Sequence, residues 1–354
     1  MSKTLMVMAG GTGGHVYPAM AVADYLKAKD WKIVWLVTEG GMENRLIDGK
    51  GYDTYTIQMR GVRGKGIKGW LMLPIKLAVA FSQCFKAIRK YQPNVVLGMG
   101  GFAAFPGGVM AWLLRKPLVV HEQNSVAGLT NKILAHFSTR LLAAFPSAFG
   151  NKATVVGNPV RKEIALVEAP LQRMQGRSGP FHLLVVGGSL GAQALNEMVP
   201  KAVAMLPEDQ RPEIIHQAGV EHILPLTENY KLANVKADTR GFIEDMAATY
   251  AWADLVICRS GALTIAELSA VGVASVLVPF PHAVDDHQTG NAAYLANNGA
   301  AMLIQQKDMT VADLHHILSK VTREKLLKAA QKARALGKPG ATQVVAEICM
   351  EVAK

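Results

Sequence analysis

Two glycine-rich turns of one construction, placed in the two halves of the chain, constrain the fold more than any other feature. Gly10-Gly11-Thr12-Gly13-Gly14-His15 follows the apolar run Leu5-Met6-Val7-Met8, and Gly187-Gly188-Ser189-Leu190-Gly191-Ala192 follows Leu183-Leu184-Val185-Val186. Beyond each turn the apolar spacing becomes helical, through Val16, Met20 and Ala23 in one and Leu195, Val199 and Val203 in the other. Strand, glycine turn and helix together suit an anion. The glycines admit close backbone approach, and the helix N-terminus offers unpaired N–H groups at the positive end of its dipole. Occurring twice, the arrangement predicts two nucleotide-type α/β domains facing one cleft.

The rest of the chain agrees with that architecture. At 354 residues it is long for a single core. Short apolar runs alternate with helical segments, at Ile33–Val37, Val95–Gly98, Leu118–Val120, Leu141–Ala144, Thr154–Val156, Ile214–His216, Leu255–Cys258 and Ser275–Val278. This alternation predicts parallel sheets covered by helices on both faces. A glycine and an X-Pro step at Val156-Gly157-Asn158-Pro159-Val160 close the first series. The expected domains are residues 1–157 and 158–339. A helical stripe of Val344, Val345, Ile348 and Val352 suggests that a last helix, 340–354, packs back on the first domain.

Charge narrows the partners. A formal net charge of +11 suits nucleic acid, anionic phospholipid or phosphorylated small molecules. Arg60, Arg63, Lys65, Lys68, Lys76, Lys86, Arg89 and Lys90 crowd into one segment with Trp70, Leu71, Met72, Leu73, Ile75, Leu77, Val79 and Phe81. Such interleaving fits an interfacial membrane patch. An amphipathic helix packed on the sheet, with a solvated basic face, fits it too. The stretch Trp70–Phe85 is broken by Pro74 and Lys76 and is shorter than the roughly 20 residues a spanning helix needs. Few aromatics accompany basic residues elsewhere and no reading-helix motif is present, which argues against nucleic acid. Cys84, Cys258 and Cys349 lie far apart without metal-ligand spacing, as in a reduced, cytosolic protein. Leu5–Met8 is too short for the apolar region of a signal peptide.

Several loops carry candidate chemistry. A third glycine cluster, Gly98-Met99-Gly100-Gly101, follows Val95-Val96-Leu97, and with the first turn it could hold a diphosphate. Glycines that merely allow tight turns are the plainer explanation. A dehydrogenase fingerprint is disfavoured because Gly11-Thr12-Gly13-Gly14-His15 departs from the G-x-G-x-x-G spacing, although Glu39 could mimic its ribose acid. No P-loop lysine follows any turn. His15 stands at a helix start, either as a base for an attacking hydroxyl or as an organiser of its loop. After Leu255–Cys258, Ser260 is an expected N-cap, and Thr264 and Glu267 share a helix face on which a carboxylate can accept two ribose hydroxyls. Asp285-Asp286-His287 could ligate a metal, but adjacent carboxylates read better as a solvated loop, so no metal site is expected.

With these residues in view, the chain resembles the bacterial peptidoglycan N-acetylglucosaminyltransferases of glycosyltransferase family 28. The segments that carry the likeness include MAGGTGGHVYP, RGKGIK, VVLGMGGF, HEQNSVAGLTNK, VVGNPVR, VVGGSLGA, DMAATYAWADLVICRSGALTIAEL and VPFPHAVDDHQTGNA. The resemblance implies the GT-B fold, two Rossmann-like parallel-sheet domains with an interdomain cleft. It implies inverting transfer of N-acetylglucosamine from its uridine diphosphate donor, UDP-GlcNAc, to undecaprenyl-diphospho-N-acetylmuramoyl-pentapeptide (lipid I), giving lipid II.

Roles follow from the resemblance residue by residue. The implied donor contacts are Thr12, Gly13, Gly14, Asn124, Arg161, Ser189, Ile243, the run Ala262, Leu263, Thr264, Ile265, Ala266 and Glu267, and Gln288. His15 matches the proposed general base, and Glu122 is a second catalytic candidate. Gly11, Gly100, Gly101 and Asn131 are candidates for the acceptor diphosphate. The Ser189 loop would stabilise the departing diphosphate, so neither a metal nor another cofactor is expected. Trp70, Leu73, Leu77, Phe81 and Trp112 would hold the enzyme peripherally on the anionic cytoplasmic face of the inner membrane. Other cell-wall synthesis or division proteins are expected partners, with consequences for cell shape and the cell cycle. The alternative activity is a nucleotide-sugar epimerase of the same fold.

Overall fold

Successive residues of a strand point to opposite faces, so a strand that is apolar throughout must be covered on both sides. Strand β1 (Thr4–Met8) is buried along its whole length. Leu5 and Val7 enter one core and Met6 and Met8 the other. The computed structural model describes residues 2–59, 72–188 and 190–353. The chain divides into two units, Met1–Arg161 with Pro339–Lys354, and Lys162–Lys338.

In the first unit β1 is joined by β2 (Lys32–Thr38), β3 (Asp53–Ile57), β4 (Val95–Gly98), β5 (Leu118–Glu122), β6 (Arg140–Ala143) and β7 (Thr154–Val155). All pairings are parallel, in the order β3-β2-β1-β4-β5-β6-β7. One face is covered by helix α1 (Gly13–Lys27) and by the C-terminal helix Ala341–Val352, whose Val345, Ala346 and Cys349 share a core with Val16, Ala19 and Ala23. Thr342 donates to the carbonyl of Val160, so the stretch 158–161 stays with the first unit. The other face is covered by α2 (Leu73–Tyr91), α3 (Ala104–Leu113) and α4 (Leu129–Leu134), which add Ala80, Cys84, Ala104, Ala111 and Leu134 to a core with Met6 and Val96.

The second unit repeats the plan. Strands β8 (His182–Val186), β9 (Glu213–Gln217), β10 (Asp238–Arg240), β11 (Leu255–Cys258), β12 (Ala274–Leu277) and β13 (Ala301–Leu303) lie parallel in the order β10-β9-β8-β11-β12-β13. Helices α5 (Gln193–Ala204), α6 (Met246–Trp252), α7 (Ala262–Val271) and α8 (His287–Ala296) follow β8, β10, β11 and β12. Each sheet reverses its winding beside its first strand, at β1/β4 and at β8/β11. Open parallel sheets bind ligands outside the strand C-termini at such a switch point. The first glycine turn and the Gly98–Gly101 cluster flank one switch point. The second glycine turn and Arg259-Ser260-Gly261 flank the other.

Candidate functional site

In the first unit the two glycine loops touch backbone to backbone. Met99 N–H donates to the Met8 carbonyl at 2.9 Å, and a Cβ on Gly101 (φ +89°) would run into the backbone of Gly10. Gly100 (φ +98°) leaves room for the ring of His15, whose Cε1 lies 3.2 Å from where a Cβ would stand. Thr12 has extended backbone ahead of α1 and makes no side-chain cap; Gly13 and Gly14 form the start of the helix, where N–H groups lack helical acceptors.

His15 is partly exposed, and its Nδ1 lies 2.7 Å from Oε1 of Gln123. Gln123, buried after the end of β5, turns its Nε2 toward the His121 carbonyl (3.0 Å) and His121 Nδ1 (3.1 Å). His121 Nε2 lies 2.9 Å from the carbonyl of Gly157. Burial drives the His121 imidazole down to about 4, against smaller opposing effects of the Gly157 carbonyl and the Glu122 charge, so it is neutral at pH 7.

Three of the candidate residues are engaged by partners within the first unit. Glu122, the second catalytic candidate, turns its carboxylate toward the residues that follow it. It is 1% exposed, and its carboxylate accepts from the backbone N–H groups of Asn124 (2.9 Å) and Gly128 (3.0 Å) and from the amides of Asn124 and Asn131. Four donors, three from the loop 124–128 and one from the first turn of α4, tie it to residues 124–131. Asn131, proposed for the acceptor diphosphate, is buried beneath that loop and donates to Glu122 at 2.8 Å and to the His121 carbonyl at 3.3 Å. The Gly11 N–H, another anion candidate, donates to Glu43 at 3.3 Å. Glu43 is fully buried and also accepts from Thr38 N and Oγ1, propping the glycine turn from below. Nothing in the local pattern of the short helix around Glu43 marks that role.

Arg161 lies with its guanidinium carbon 5.7 Å from the Tyr17 ring centroid, a cation–π arrangement that fixes its direction. Asn124 is partly exposed, its loop position set by Glu122.

In the second unit Gly188 and Gly191 take positive φ, and Gly191 and Gly219 pack backbone against backbone. Ser189 lies outside the described residues. Ser260 is not the N-cap of α7: that position is Gly261, and the Ser260 hydroxyl instead donates to the Gln288 carbonyl at 2.8 Å. Ala262, Leu263 and Thr264 form the first turn of α7, and Ala262 and Ile265 are buried. Glu267 is 5% exposed and accepts from the Tyr250 hydroxyl at 3.3 Å, which orients the carboxylate. Gln288 Oε1 accepts from Phe280 N–H at 2.9 Å. Ile243 is buried just before α6. Asp286 accepts from Thr289 and His287 bonds the Val284 carbonyl, so these side chains serve their own loop.

The apolar patch is also redistributed. Trp70, like the RGKGIK segment, lies outside the described residues. On α2, Leu73 and Leu77 continue the buried stripe of Ala80, Cys84, Ala87 and Ile88, and Phe81 packs edgewise on Phe105. Helical periodicity therefore turns Met72, Ile75, Val79 and Phe85 outward. Trp112 is 48% exposed on α3, beside exposed Leu113, and α4 adds exposed Leu129. No described helix is long and apolar enough to cross a membrane.

Two doubly wound units with glycine loops at their switch points define a protein of the class that handles nucleotides or nucleotide-linked groups. The profile of the glycosyltransferase family 28 N-terminal domain matches residues 5–143, and that of the C-terminal domain matches residues 182–348. The chain belongs to glycosyltransferase family 28, with the GT-B pair of parallel-sheet units. It is 56% identical over 354 residues, all of both chains, to the UDP-N-acetylglucosamine–N-acetylmuramyl-(pentapeptide) pyrophosphoryl-undecaprenol N-acetylglucosamine transferase of Dechloromonas aromatica. The protein of the same description from Azoarcus sp. is also 56% identical, with 99% of both chains covered. The crystal structure of Acinetobacter baumannii MurG matches with a TM-score of 0.87 and 40% identity over 99% of both chains. A UDP-N-acetylglucosamine 2-epimerase structure, at 12% identity and TM-score 0.63, shares the fold.

Proposed function

We propose that this chain transfers N-acetylglucosamine from UDP-GlcNAc to the muramoyl sugar of lipid I, forming lipid II with inversion at the transferred carbon. The observation that carries this reading is the 56% identity to a transferase of that description along the entire chain. Roles are assigned unit by unit. In the first, His15 removes the proton of the acceptor hydroxyl, Gly100 and Gly101 approach the acceptor diphosphate, and Glu122 and Asn131 shape the neighbouring loop. In the second, Glu267 and the first turn of α7 hold the ribose, Gln288 and the backbone at Ile243 complete the nucleotide pocket, and the 187–192 turn takes up charge developing on the leaving diphosphate. Thr12, Gly13, Gly14, Asn124 and Arg161 add donor contacts. Fixed backbone dipoles supply the electrostatic stabilisation, so turnover needs no metal.

The membrane-facing surface is the outward row Ile75, Val79 and Phe85 with Trp112, flanked by Lys86, Arg89 and Lys90. Its exposed apolar and basic side chains support a peripheral position on the cytoplasmic face of the inner membrane, beside the lipid acceptor and, in our reading, other cell-wall and division proteins. The test is transfer of labelled N-acetylglucosamine from UDP-GlcNAc to a short-chain lipid I, with a chelator present. Labelled lipid II in chelator is expected. An epimerised sugar released without acceptor, or no product despite donor binding, would overturn the reading.

A further inference from the structure

The chain of groups from His15 to Gly157 has a direction, and the direction is set at its buried end. The Gly157 carbonyl can only accept, so His121 must present a protonated Nε2 to it, 2.9 Å away. A neutral imidazole then has a bare Nδ1, and that atom faces Gln123 Nε2 at 3.1 Å. The same Nε2 lies 3.0 Å from the His121 carbonyl, a second acceptor-only group. Met99 Sδ, a weak acceptor at 3.7 Å, lies on the same side, so every neighbour of Nε2 accepts and none donates. Turning the amide over would set its oxygen against a carbonyl and a lone pair, so Oε1 is held toward His15. Across 2.7 Å, Oε1 can only accept, and His15 Nδ1 must carry the hydrogen.

We infer that Gln123 and His121 are positioning residues that lock His15 in the tautomer with Nδ1 protonated and Nε2 bare, ready to accept a proton. The inference rests on the transferase reading of His15. In the step it serves, the acceptor O–H bond breaks and its proton moves to His15 Nε2. The freed oxygen forms a bond to the anomeric carbon, and the electron pair of the carbon–diphosphate bond leaves with the nucleotide. The imidazolium keeps its Nδ1–H on Gln123 Oε1, a bond strengthened by the new charge. Burial keeps His121 neutral, so a neutral amide and a neutral ring orient the base where Ser-His-Asp hydrolases use a carboxylate.

The tautomer is measurable without substrate. Long-range ¹⁵N–¹H correlation spectra of histidine-labelled protein, with His15→Gln to assign the signal, should show the neutral His15 ring protonated at Nδ1. A proton on Nε2 in the wild-type protein would overturn the inference, whatever any variant does. Gln123→Met, close in volume, should release the preference and lower kcat about 10–100-fold with the donor KM within about two-fold. Unchanged tautomer and unchanged kcat in a folded Gln123→Met would also overturn it. Absence of transfer by the wild-type enzyme is a separate failure, of the transferase reading, because the spectra are read on the protein alone.

Discussion

Each unit buries one histidine near the end of a sheet strand, and the two are used differently. His121 on β5 and His216 on β9 are both fully buried, and burial holds His121 down to about 4 and His216 down to about 3. His216 is bracketed by Asn196 Oδ1 at 3.1 Å and the Tyr230 hydroxyl at 2.9 Å, and Asn196 in turn donates to the Ala218 carbonyl. Tyr230 is itself buried, so this network ends inside the core. The His121 network runs outward through Gln123 to the partly exposed His15 beside two glycine loops. A buried imidazole with a fixed tautomer is therefore a structural part in both units. Only in the first unit is its polarity passed on to a partly exposed ring.

The sharpest way to break the contrast is to remove the outer ring. His15→Ala is expected to lower kcat by about 10²–10⁴ with little change in donor KM, the usual range for a positioned base. His216→Leu should leave kcat per folded molecule near the wild-type value. Steady-state kinetics on both variants decide, and a near wild-type rate for His15→Ala would erase the difference between the units.

Acid provides the next test. Both histidines are neutral when folded and titrate near 6.5 when unfolded, so below pH 6.5 the unfolded chain binds more protons and stability falls. The His121 contribution is complete above pH 6.5 and is lost between there and about pH 4; that of His216 continues to about pH 3. At the acid limit His121 alone amounts to on the order of 3 kcal/mol. Urea unfolding across pH 4–7 should show this slope and should flatten in His216→Leu and in His121→Leu. An unchanged slope in either variant removes that ring from the account.

At neutral pH the two leucine variants should each cost about 1–3 kcal/mol, because polar partners are left buried and unpaired. His121→Leu should in addition reduce turnover about tenfold, since Gln123 loses its anchor; equal turnover in the two variants would show that the outward chain is not used. The smallest effect lies on the surface of the first unit. Ile75→Ser with Val79→Ser should weaken association with anionic vesicles several-fold without lowering the melting temperature, whereas Leu77→Ser should lower it. Flotation assays and thermal scans separate the outward row from the buried stripe.

Legibility in the sequence followed burial. Strands β1, β4, β8 and β11 are buried on both faces and read as continuous apolar runs. The edge strands β3 (Asp53–Ile57), β10 (Asp238–Arg240) and β13 (Ala301–Leu303) leave no apolar run in the sequence that marks them, because they are short, half-exposed and mostly polar or mixed. The glycine turns and His15 were legible as residues of unusual type at strand ends. Glu43 and Gln123 were not, since their roles depend on partners brought from elsewhere in the chain.

The sequence by itself determined the doubly wound architecture, its duplication and the loops where chemistry belongs, because alternating apolar runs and glycine turns act over a few neighbouring residues. Tertiary structure alone decided which polar groups face ligand and which face each other. Glu122 is a catalytic candidate by resemblance alone, and folding surrounds its carboxylate with four donors from residues 124–131. Gln123 looked incidental, yet folding sets it against His15, 108 residues away in the chain. Hydrogen bonds need contact and direction, and neither is a local property of sequence.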